Sequence, residues 1–221
     1  MPSKVKGCPV VRLVKKAYHH GDLRNALVEG AVDLMEEGQS FDFSLRDLAA
    51  RVGVSAPALY SHFADKGALM VAVAIAGFQK LRAALEPTVK SGKDLSTQFL
   101  DMGQAYVQFG CDNPALYDLM FASPELPPQR AVNPELKEAG DYARNVLLDL
   151  LTRMQAGGVM RRGDVAMDGF TVWAHVHGLA SLVITGRVEC AREGSVEAVP
   201  LPVQDAVRLS LNSLLQGFTP K

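Results

Sequence analysis

Apolar residues recur at helical spacing in the segment that begins near residue 23. They fall at i, i+3, i+4, i+7, i+8 and i+11, which places one apolar stripe along an α-helix. Asp22 stands where the N-cap is expected, and Gly38 stands where the helix should end. The stripe consists of Leu23, Ala26, Leu27, Gly30, Ala31 and Leu34. The pattern therefore predicts a first amphipathic helix.

Two shorter apolar patterns follow, and each one is preceded by a serine. Ser44 and Ser55 are residue types that cap helix N-termini, so helices are predicted over about residues 44–51 and 55–62. Gly53 lies between them, and glycine readily adopts the positive φ that a tight reversal requires. Pro57 falls in the first turn of the second helix, where a missing N–H costs little. This layout is typical of a helix-turn-helix.

Longer helical patterns fill the remainder of the chain. One runs from about residue 65 to Pro87, a second passes through Phe99 and Phe109, and a short one covers PALYDLMF. The proline-rich stretch 123–134 is predicted to be an irregular surface connection. Helix resumes near Glu135 and stops at Gly157-Gly158, and two more helices are predicted over about 164–189 and 204–216. Nothing alternates with a period of two, as a half-buried strand would.

These patterns predict an all-α fold with two parts. A length of 221 residues exceeds the common size of one domain and falls short of two average ones. We expect residues 1–17 to form a basic N-terminal arm and residues 18–66 a three-helix helix-turn-helix domain. Residues 67–221 are then expected to form a larger helical domain for ligand binding and dimerisation.

Composition favours a globular protein of the cytoplasm. Hydrophobic residues make up 48% and charged residues 21%, and no uncharged apolar run approaches the length of a membrane span. The N-terminus lacks the apolar core and cleavage site of a secretory signal. The three cysteines, Cys8, Cys111 and Cys190, are widely separated, so reduced thiols are expected rather than disulfides or a zinc site. No membrane partner is predicted.

Positive charge is concentrated at the N-terminus, although the whole chain has a formal net charge of -1. Within the first 24 residues, Asp22 is the sole acidic residue. The basic residues there are Lys4, Lys6, Arg12, Lys15, Lys16 and Arg24. Such a segment is either a solubilising tail or an arm that follows phosphates.

The helix after Ser55 has the features of a recognition helix. Leu59 and Phe63 lie four residues apart, so they would anchor the helix to those behind it. Small and polar groups remain for the other side, where they would face phosphates, base edges or thymine methyl groups. They are Ser55, Ala56, Ala58, Tyr60, Ser61 and His62. The alternative is a helical hairpin inside an ordinary bundle, with Tyr60 and His62 at its rim.

The stretch SLRDLAARVGVSAPALYSHFADKGAL resembles the signature of the TetR family of bacterial transcriptional regulators over about residues 20–70. Its matching positions are Leu45, Leu48, Ala49, Gly53, Val54, Ser55, Pro57, Leu59, Tyr60, His62, Phe63, Lys66 and Leu69. The resemblance implies a repressor or activator that dimerises and binds a palindromic operator, with a repressor favoured. It also implies release from DNA when a small, largely apolar effector binds the C-terminal domain.

The resemblance also implies roles for individual residues. Tyr60, His62 and Lys66 match positions that contact backbone phosphates, whereas Ser55, Ala56 and Ala58 match positions close to bases. Lys15, Lys16, Ser44 and Ser61 complete the predicted DNA-binding set. Alanine at 56 and 58 replaces polar groups found in many relatives, which implies little direct hydrogen bonding to bases. With the family resemblance, the basic arm is interpreted as a DNA-binding extension.

The helix predicted at 164–189 is apolar over most of its circumference, which indicates burial on more than one side. One side would pack within its own domain and the other against a second copy of the chain. The predicted dimer residues are Val172, Val176, Leu179 and Val183, with Val207, Leu211 and Leu214 from the last helix. The stretch WAHVHG, residues 173–178, further resembles the Trp-His-Gly motif of one TetR subgroup.

Aromatic and methionine side chains in the C-terminal half predict an apolar ligand cavity. Its predicted members are Met102, Tyr106, Phe109, Met120, Phe121, Tyr142, Met154, Trp173 and His177, with His177 or Tyr142 as polar contacts. The alternative is that each of these side chains simply fills core. His175 and His177 diverge by about 200° on a helix, so they are not expected to hold one metal ion, and no cofactor is predicted.

Rival functions lack sequence support. We find no GxSxG, HExxH or Walker loop, and no Glu-x-x-His pair of a di-iron bundle, so an enzyme is not predicted. The second rival is a helical binding or adaptor protein that keeps the fold without binding DNA. The intact stretch from Pro57 to Lys66 argues against it.

Overall fold

The computed structural model describes residues 23–121, residue 126, residues 133–187 and residues 202–220. Within these ranges every regular element is a helix, which confirms the predicted all-α fold. Asp22, the predicted first N-cap, and the basic arm lie outside the described residues.

Three helices form the N-terminal part, namely α1 (Leu23–Gly38), α2 (Leu45–Val52) and α3 (Ala56–Tyr60). Ser44 and Ser55 cap α2 and α3 as the sequence predicts, and each side chain accepts a backbone N–H of the first turn. Gly53 has φ 78°, in the left-handed region, and its N–H donates to the carbonyls of Ala49 and Ala50. This residue turns the chain from α2 into α3.

The described residues of the C-terminal part form six helices. They are α4 (Lys66–Val89), α5 (Leu95–Asp112), α6 (Pro114–Phe121), α7 (Pro134–Ala156), α8 (Val165–Ile184) and α9 (Val203–Phe218). α4 packs along α5 and α7, and α5 packs along α8 and α9. α1 contacts both α4 and α6, so these two helices join the two parts of the molecule.

The structure corrects three predicted boundaries. α4 continues past Pro87 to Val89. Pro134 is the first residue of α7 rather than part of a connection, because proline fits the first helical position and Asn133 caps the helix. α8 ends at Ile184, five residues before the predicted end, because Gly186 adopts φ 67° and the N–H of Arg187 turns back to the carbonyl of Leu182.

One continuous core runs through both parts. Two glycines allow close helix crossings. A Cβ at Gly103 of α5 would lie 2.6 Å from Leu211 of α9, and one at Gly77 of α4 would lie 2.6 Å from Met120 of α6. By length and composition alone, α4 is long and apolar enough to cross a membrane. Half of its most apolar stretch, however, is buried inside the protein. Its packing is that of a core helix.

Candidate nucleic-acid interface and ligand cavity

The inner side of α3 is anchored by apolar side chains. Leu59 and Phe63 are almost fully buried, as the sequence predicts, and the guanidinium of Arg24 lies 5.4 Å from the centre of the Phe63 ring. Pro57 sits in the first turn, and Ser55 Oγ accepts the N–H of Ala58 at 3.3 Å. These contacts fix which side of the short helix faces outward.

The outer side of α3 is open to solvent. Tyr60 is 51% exposed, Ser55, Ser61 and His62 are exposed, and Ala56 and Ala58 are partly exposed. Ser61 donates its hydroxyl hydrogen to the carbonyl of Ala58 at 2.7 Å. The six residues predicted to face DNA therefore share one accessible surface, and we call Ser55, Ala56, Ala58, Tyr60, Ser61 and His62 the α3 surface.

Ser44 and Lys66 are accounted for by contacts within their own domain. Ser44 forms a capping box with Asp47: its hydroxyl donates to Asp47 Oδ2 at 2.6 Å and accepts the Asp47 N–H at 3.1 Å. The backbone N–H of Ser44 also donates to Asp47 Oδ2 at 2.8 Å, and the two bonds from Ser44 to this carboxyl lower its pKa. Lys66 donates its ammonium to the Phe41 carbonyl, lies 5.1 Å from the centre of the Phe43 ring and is half-buried. The ammonium has three N–H groups, so it could keep these contacts and still donate to a phosphate.

The helix-turn-helix region is itself acidic. Residues 23–66 contain four basic and seven acidic residues, a net charge of -3. Arg51 is paired with Glu37, whose pKa is lowered by their hydrogen bond. Arg46, which sequence reasoning missed, is exposed on α2 and has no hydrogen-bond or ion-pair partner within the part of the chain that the structure describes. The sequence feature that could have indicated this residue is its position in the first turn of α2, two residues after the capping Ser44. The predicted contacts Lys15 and Lys16 lie outside the described residues.

A cavity of about 340 Å³ lies between α4, α5, α7 and α8. Four of the nine predicted cavity residues line it: Met102, Tyr106, Phe121 and Trp173. Sequence reasoning missed the α4 and α7 sides, which include Phe78, Leu81, Leu85 and Leu147. These residues follow ordinary core periodicity, so the pattern alone could not separate cavity from core.

The other predicted cavity residues lie elsewhere. Phe109, Met120 and Met154 are buried but do not line the cavity, and Met120 packs against Gly77 instead. Tyr142 is 48% exposed, donates its hydroxyl hydrogen to Glu138 at 2.7 Å and stacks with Arg82. Its position lies to the side of the buried stripe of α7, about 90° around the helix axis from the centre of that stripe.

His177 adjoins the cavity through a polar cluster with two tyrosines. Its Nδ1 lies 2.6 Å from the hydroxyl of Tyr117 and 3.2 Å from that of Tyr106, and its ring stacks on Tyr117 and packs against Trp173. Burial lowers the pKa of His177 and raises the pKa of Tyr106 to about 12, so both groups are uncharged near pH 7. His175 is on a different side of α8, where its Nε2 lies 2.9 Å from Ser210 Oγ.

Most of the residues predicted to form the dimer interface are buried within the protomer instead. Val172, Val176 and Leu211 line the cavity, and Val207 is 3% exposed, so these side chains are covered by the protomer's own helices and are not available to a partner. Leu179, Val183 and Leu214 are partly buried against the same core. The β-branched stripe of α8 faces inward because it packs on α5.

A different side of α8 is exposed. Residues at intervals of three or four form an outward stripe, and the apolar Leu209 of α9 is also exposed. The stripe, which we call the α8 stripe, consists of Met167, Thr171, Ala174, Gly178 and Leu182; of these, Gly178 is partly exposed. The sequence feature that could have indicated this exposed stripe is the helical spacing of small and apolar residues between the valines.

Both halves of the chain match models of one family. Residues 27–73 match the model "Bacterial regulatory proteins, tetR family", and residues 99–199 match "Tetracyclin repressor-like, C-terminal domain". The fold, the exposed recognition helix and these matches define a helix-turn-helix transcriptional regulator that binds DNA. The chain belongs to the TetR family.

Solved structures share the architecture. A protein of unknown function from a Rhodococcus species is 30% identical, with a TM-score of 0.77 over 93% of this chain and 100% of that one. The TetR family transcriptional regulator PfmR from Thermus thermophilus is 22% identical, with a TM-score of 0.61 over 86% and 97% of the two chains. The similarity to PfmR shows a shared fold.

A curated relative matches over a shorter region. The HTH-type transcriptional regulator YobS from Bacillus subtilis is 28% identical over 98 residues, which are 44% of this chain. The chain matches about half of that relative's length, namely 51%.

Proposed function

We propose that this regulator is a homodimeric repressor that leaves a palindromic operator when a small, largely apolar effector enters the C-terminal cavity. The observation that carries the proposal is the division of α3 into a buried side held by Leu59 and Phe63 and an accessible α3 surface. A helix exposed on one side only suits docking in a major groove.

Several predicted contacts are part of this proposal. Tyr60 and His62 would contact phosphates, and Ala56 and Ala58 would approach bases closely. Arg46 is added to the set because it is exposed beside the capped start of α2. Ser44 would reach DNA only by exchanging its partner, whereas Lys66 could bind a phosphate while it keeps the Phe41 carbonyl.

The basic arm is proposed to supply most of the phosphate-binding charge. Because residues 23–66 are net negative, their side chains would repel DNA as a group. Residues 1–22 hold five basic residues, among them Lys15 and Lys16, and one acidic residue. Opposite charge next to α1 would offset the repulsion and make binding strongly dependent on salt.

Effector binding is proposed to reach α1 through α6. Phe121 lines the cavity at one end of α6, and Tyr117 contacts His177 in the middle of that helix. At the other end, Glu36 of α1 accepts the backbone N–H groups of Ala115 and Leu116 at 3.3 and 2.9 Å. A ligand that moves Phe121 would therefore act on the helix to which α1 is tied.

The homodimer is proposed to form through the α8 stripe, with Leu209 of α9 at its side. Small residues in the centre of the stripe, Ala174 and Gly178, let two helices approach closely, and Met167 and Leu182 would be covered at its ends. Two-fold symmetry of the protein would then match a palindromic operator. A regulator of this kind works on DNA in the cytoplasm and catalyses no reaction.

The test uses purified full-length protein and a pool of random duplex DNA. Repeated selection by gel shift should enrich a two-fold symmetric sequence, and binding to it should weaken steeply as salt rises. Failure to enrich any sequence would instead support the adaptor alternative. Addition of a cavity ligand should release the selected DNA if the protein is a repressor of the proposed type, whereas tighter binding would contradict release.

A further inference from the structure

The cavity opens to solvent between α7 and α8. Among its lining residues the exposed ones come from these two helices alone: Arg144 from α7, and Ala166, Phe170 and Trp173 from α8. The lining residues from α4 and α5 are buried. A ligand would therefore enter between α7 and α8 and extend inward toward α4 and α5.

The inner part of the cavity offers almost no polar partner. Phe78, Leu81, Leu85 and Phe99 line it, and the polar atom of Tyr106 is already bonded to His177 and Tyr117. A donor or acceptor that entered this region would lose its water without replacement, at a cost of about 1–3 kcal/mol. The part of a ligand that reaches α4 must therefore be hydrocarbon.

Among the residues that the structure describes, Arg144 is the charged residue of the lining, and it lies at the opening. Its guanidinium is 3.0 Å from Asp141, which is also paired with the ammonium of Lys137. Asp141 would thus keep one cationic partner if Arg144 turned to a ligand. A guanidinium at the rim of an apolar cavity is suited to a carboxylate, which it binds through two parallel hydrogen bonds.

We propose that the effector is an amphipathic monocarboxylate whose hydrocarbon body fills the cavity and whose carboxylate binds Arg144. The cavity has room for about eleven water molecules at 30 Å³ each, so the body should hold about ten to fifteen non-hydrogen atoms. This proposal rests on the effector role assigned to the cavity above, but ligand binding itself is measured without DNA.

The probe is decanoate, at concentrations below its micelle threshold, with decanamide as its uncharged counterpart. Trp173 is the single tryptophan of the sequence and lines the cavity, so its fluorescence reports occupancy. Decanoate should change the emission in a saturable way, and decanamide should bind about tenfold more weakly because it lacks the charge that pairs with Arg144.

Two matched variants test the role of Arg144. Arg144→Gln should weaken decanoate binding about tenfold and leave decanamide binding within about twofold of the parent. Lys137→Gln removes the same charge from α7 but does not line the cavity, and Asp141 is exposed enough for water to replace the lost partner, so both affinities should stay within about twofold of the parent. Equal effects of the two substitutions, or equal binding of the two probes by the parent protein, would overturn the carboxylate assignment.

A third variant tests where the probes bind. Gly140 lines the cavity, and a Cβ there would lie 3.8 Å from Phe78, so Gly140→Ala should fold and narrow the space. Both probes should then bind more weakly, whereas unchanged binding would place them outside the cavity and refute the proposal. An absent fluorescence response to decanoate would refute it too. Either result leaves DNA binding untouched, so failure of the ligand proposal is distinct from failure of the regulator.

Discussion

Gly53 links a local backbone conformation to the placement of the recognition helix. Its φ of 78° lies in the left-handed region, and a Cβ at this position would meet no atom within 4 Å. The requirement for glycine is therefore one of backbone conformation rather than of space. This single residue sets the turn that directs α3 outward from α2.

Replacement of Gly53 by alanine should destabilise the protein by about 1 kcal/mol, because alanine avoids the left-handed region. Urea denaturation followed by circular dichroism measures the change. Gly38→Ala is the matched control, since that glycine also has open space around it but no positive φ. Equal stability of the Gly53 and Gly38 variants would contradict the assigned role.

His177 should make stability depend on pH. Burial depresses its pKa in the folded state, so the unfolded chain, with a histidine pKa of about 6.5, takes up the proton first as the pH falls. The free energy of unfolding should therefore decline below about pH 6.5, because the buried site disfavours the charged imidazole. His177→Gln should reduce that decline, although His175, whose pKa is also lowered by burial, retains a share of it. A decline of the same size in the variant would exclude His177 as a source.

Side-chain roles were predictable at the residue scale where periodicity decides them. The buried Leu59 and Phe63 and the exposed Tyr60 follow from spacing on one short helix. The state of Lys66 did not follow, because its partner is the Phe41 carbonyl, 25 residues away in the sequence. Contacts of this kind depend on how helices pack, and a pattern within one helix carries no information about them.

At the scale of elements, capping side chains determined most helix N-termini among the described residues. Ser44, Ser55, Asp65, Asp94 and Asp164 each cap a helix through the side chain. The orientation of α8 was harder to predict. Its valines and aromatic residues are distributed around the whole helix, so hydrophobicity alone does not indicate which side is buried. Packing on α5 turned Val172 and Val176 inward and left Met167, Phe170 and Leu182 exposed.

Glu36 joins two elements from different parts of the molecule. It accepts the N–H groups at the second and third positions of α6, which an N-cap side chain usually satisfies. Glu36→Ala should therefore lower the free energy of unfolding by about 1–2 kcal/mol. Glu29→Ala, an exposed substitution on the same helix, should change it by less than about 0.5 kcal/mol. Equal losses would show that the tie between α1 and α6 does not contribute.

At the scale of the whole molecule, the proposed DNA interface and the proposed dimer interface differ in polarity. Four of the six residues of the α3 surface carry polar side-chain groups, whereas Thr171 alone does so among the five of the α8 stripe. The sequence predicted a cavity and two interfaces, but which residues line the cavity depends on the distances between α4, α7 and α8.

The dimer proposal predicts that Gly178→Arg gives a monomer. A Cβ at Gly178 meets nothing within 4 Å in the protomer, so the substitution should leave each subunit folded while it places a charge in the proposed contact. Light scattering measures the mass. Asn145→Arg, an exposed change on α7, should remain dimeric. A dimer that persists in the Gly178 variant would place the interface elsewhere.

The central claim is that the α3 surface contacts DNA, and two tyrosines of equal exposure test it. Tyr60 is 51% exposed on α3 and Tyr142 is 48% exposed on α7, so neither truncation should unfold the protein. Fluorescence anisotropy with the selected operator measures the affinity of Tyr60→Ala and Tyr142→Ala. We predict a loss of about tenfold or more for the Tyr60 variant, about 1.4 kcal/mol, and no change for the Tyr142 variant. Unchanged affinity of the folded Tyr60 variant, or an equal loss in both, would contradict the account.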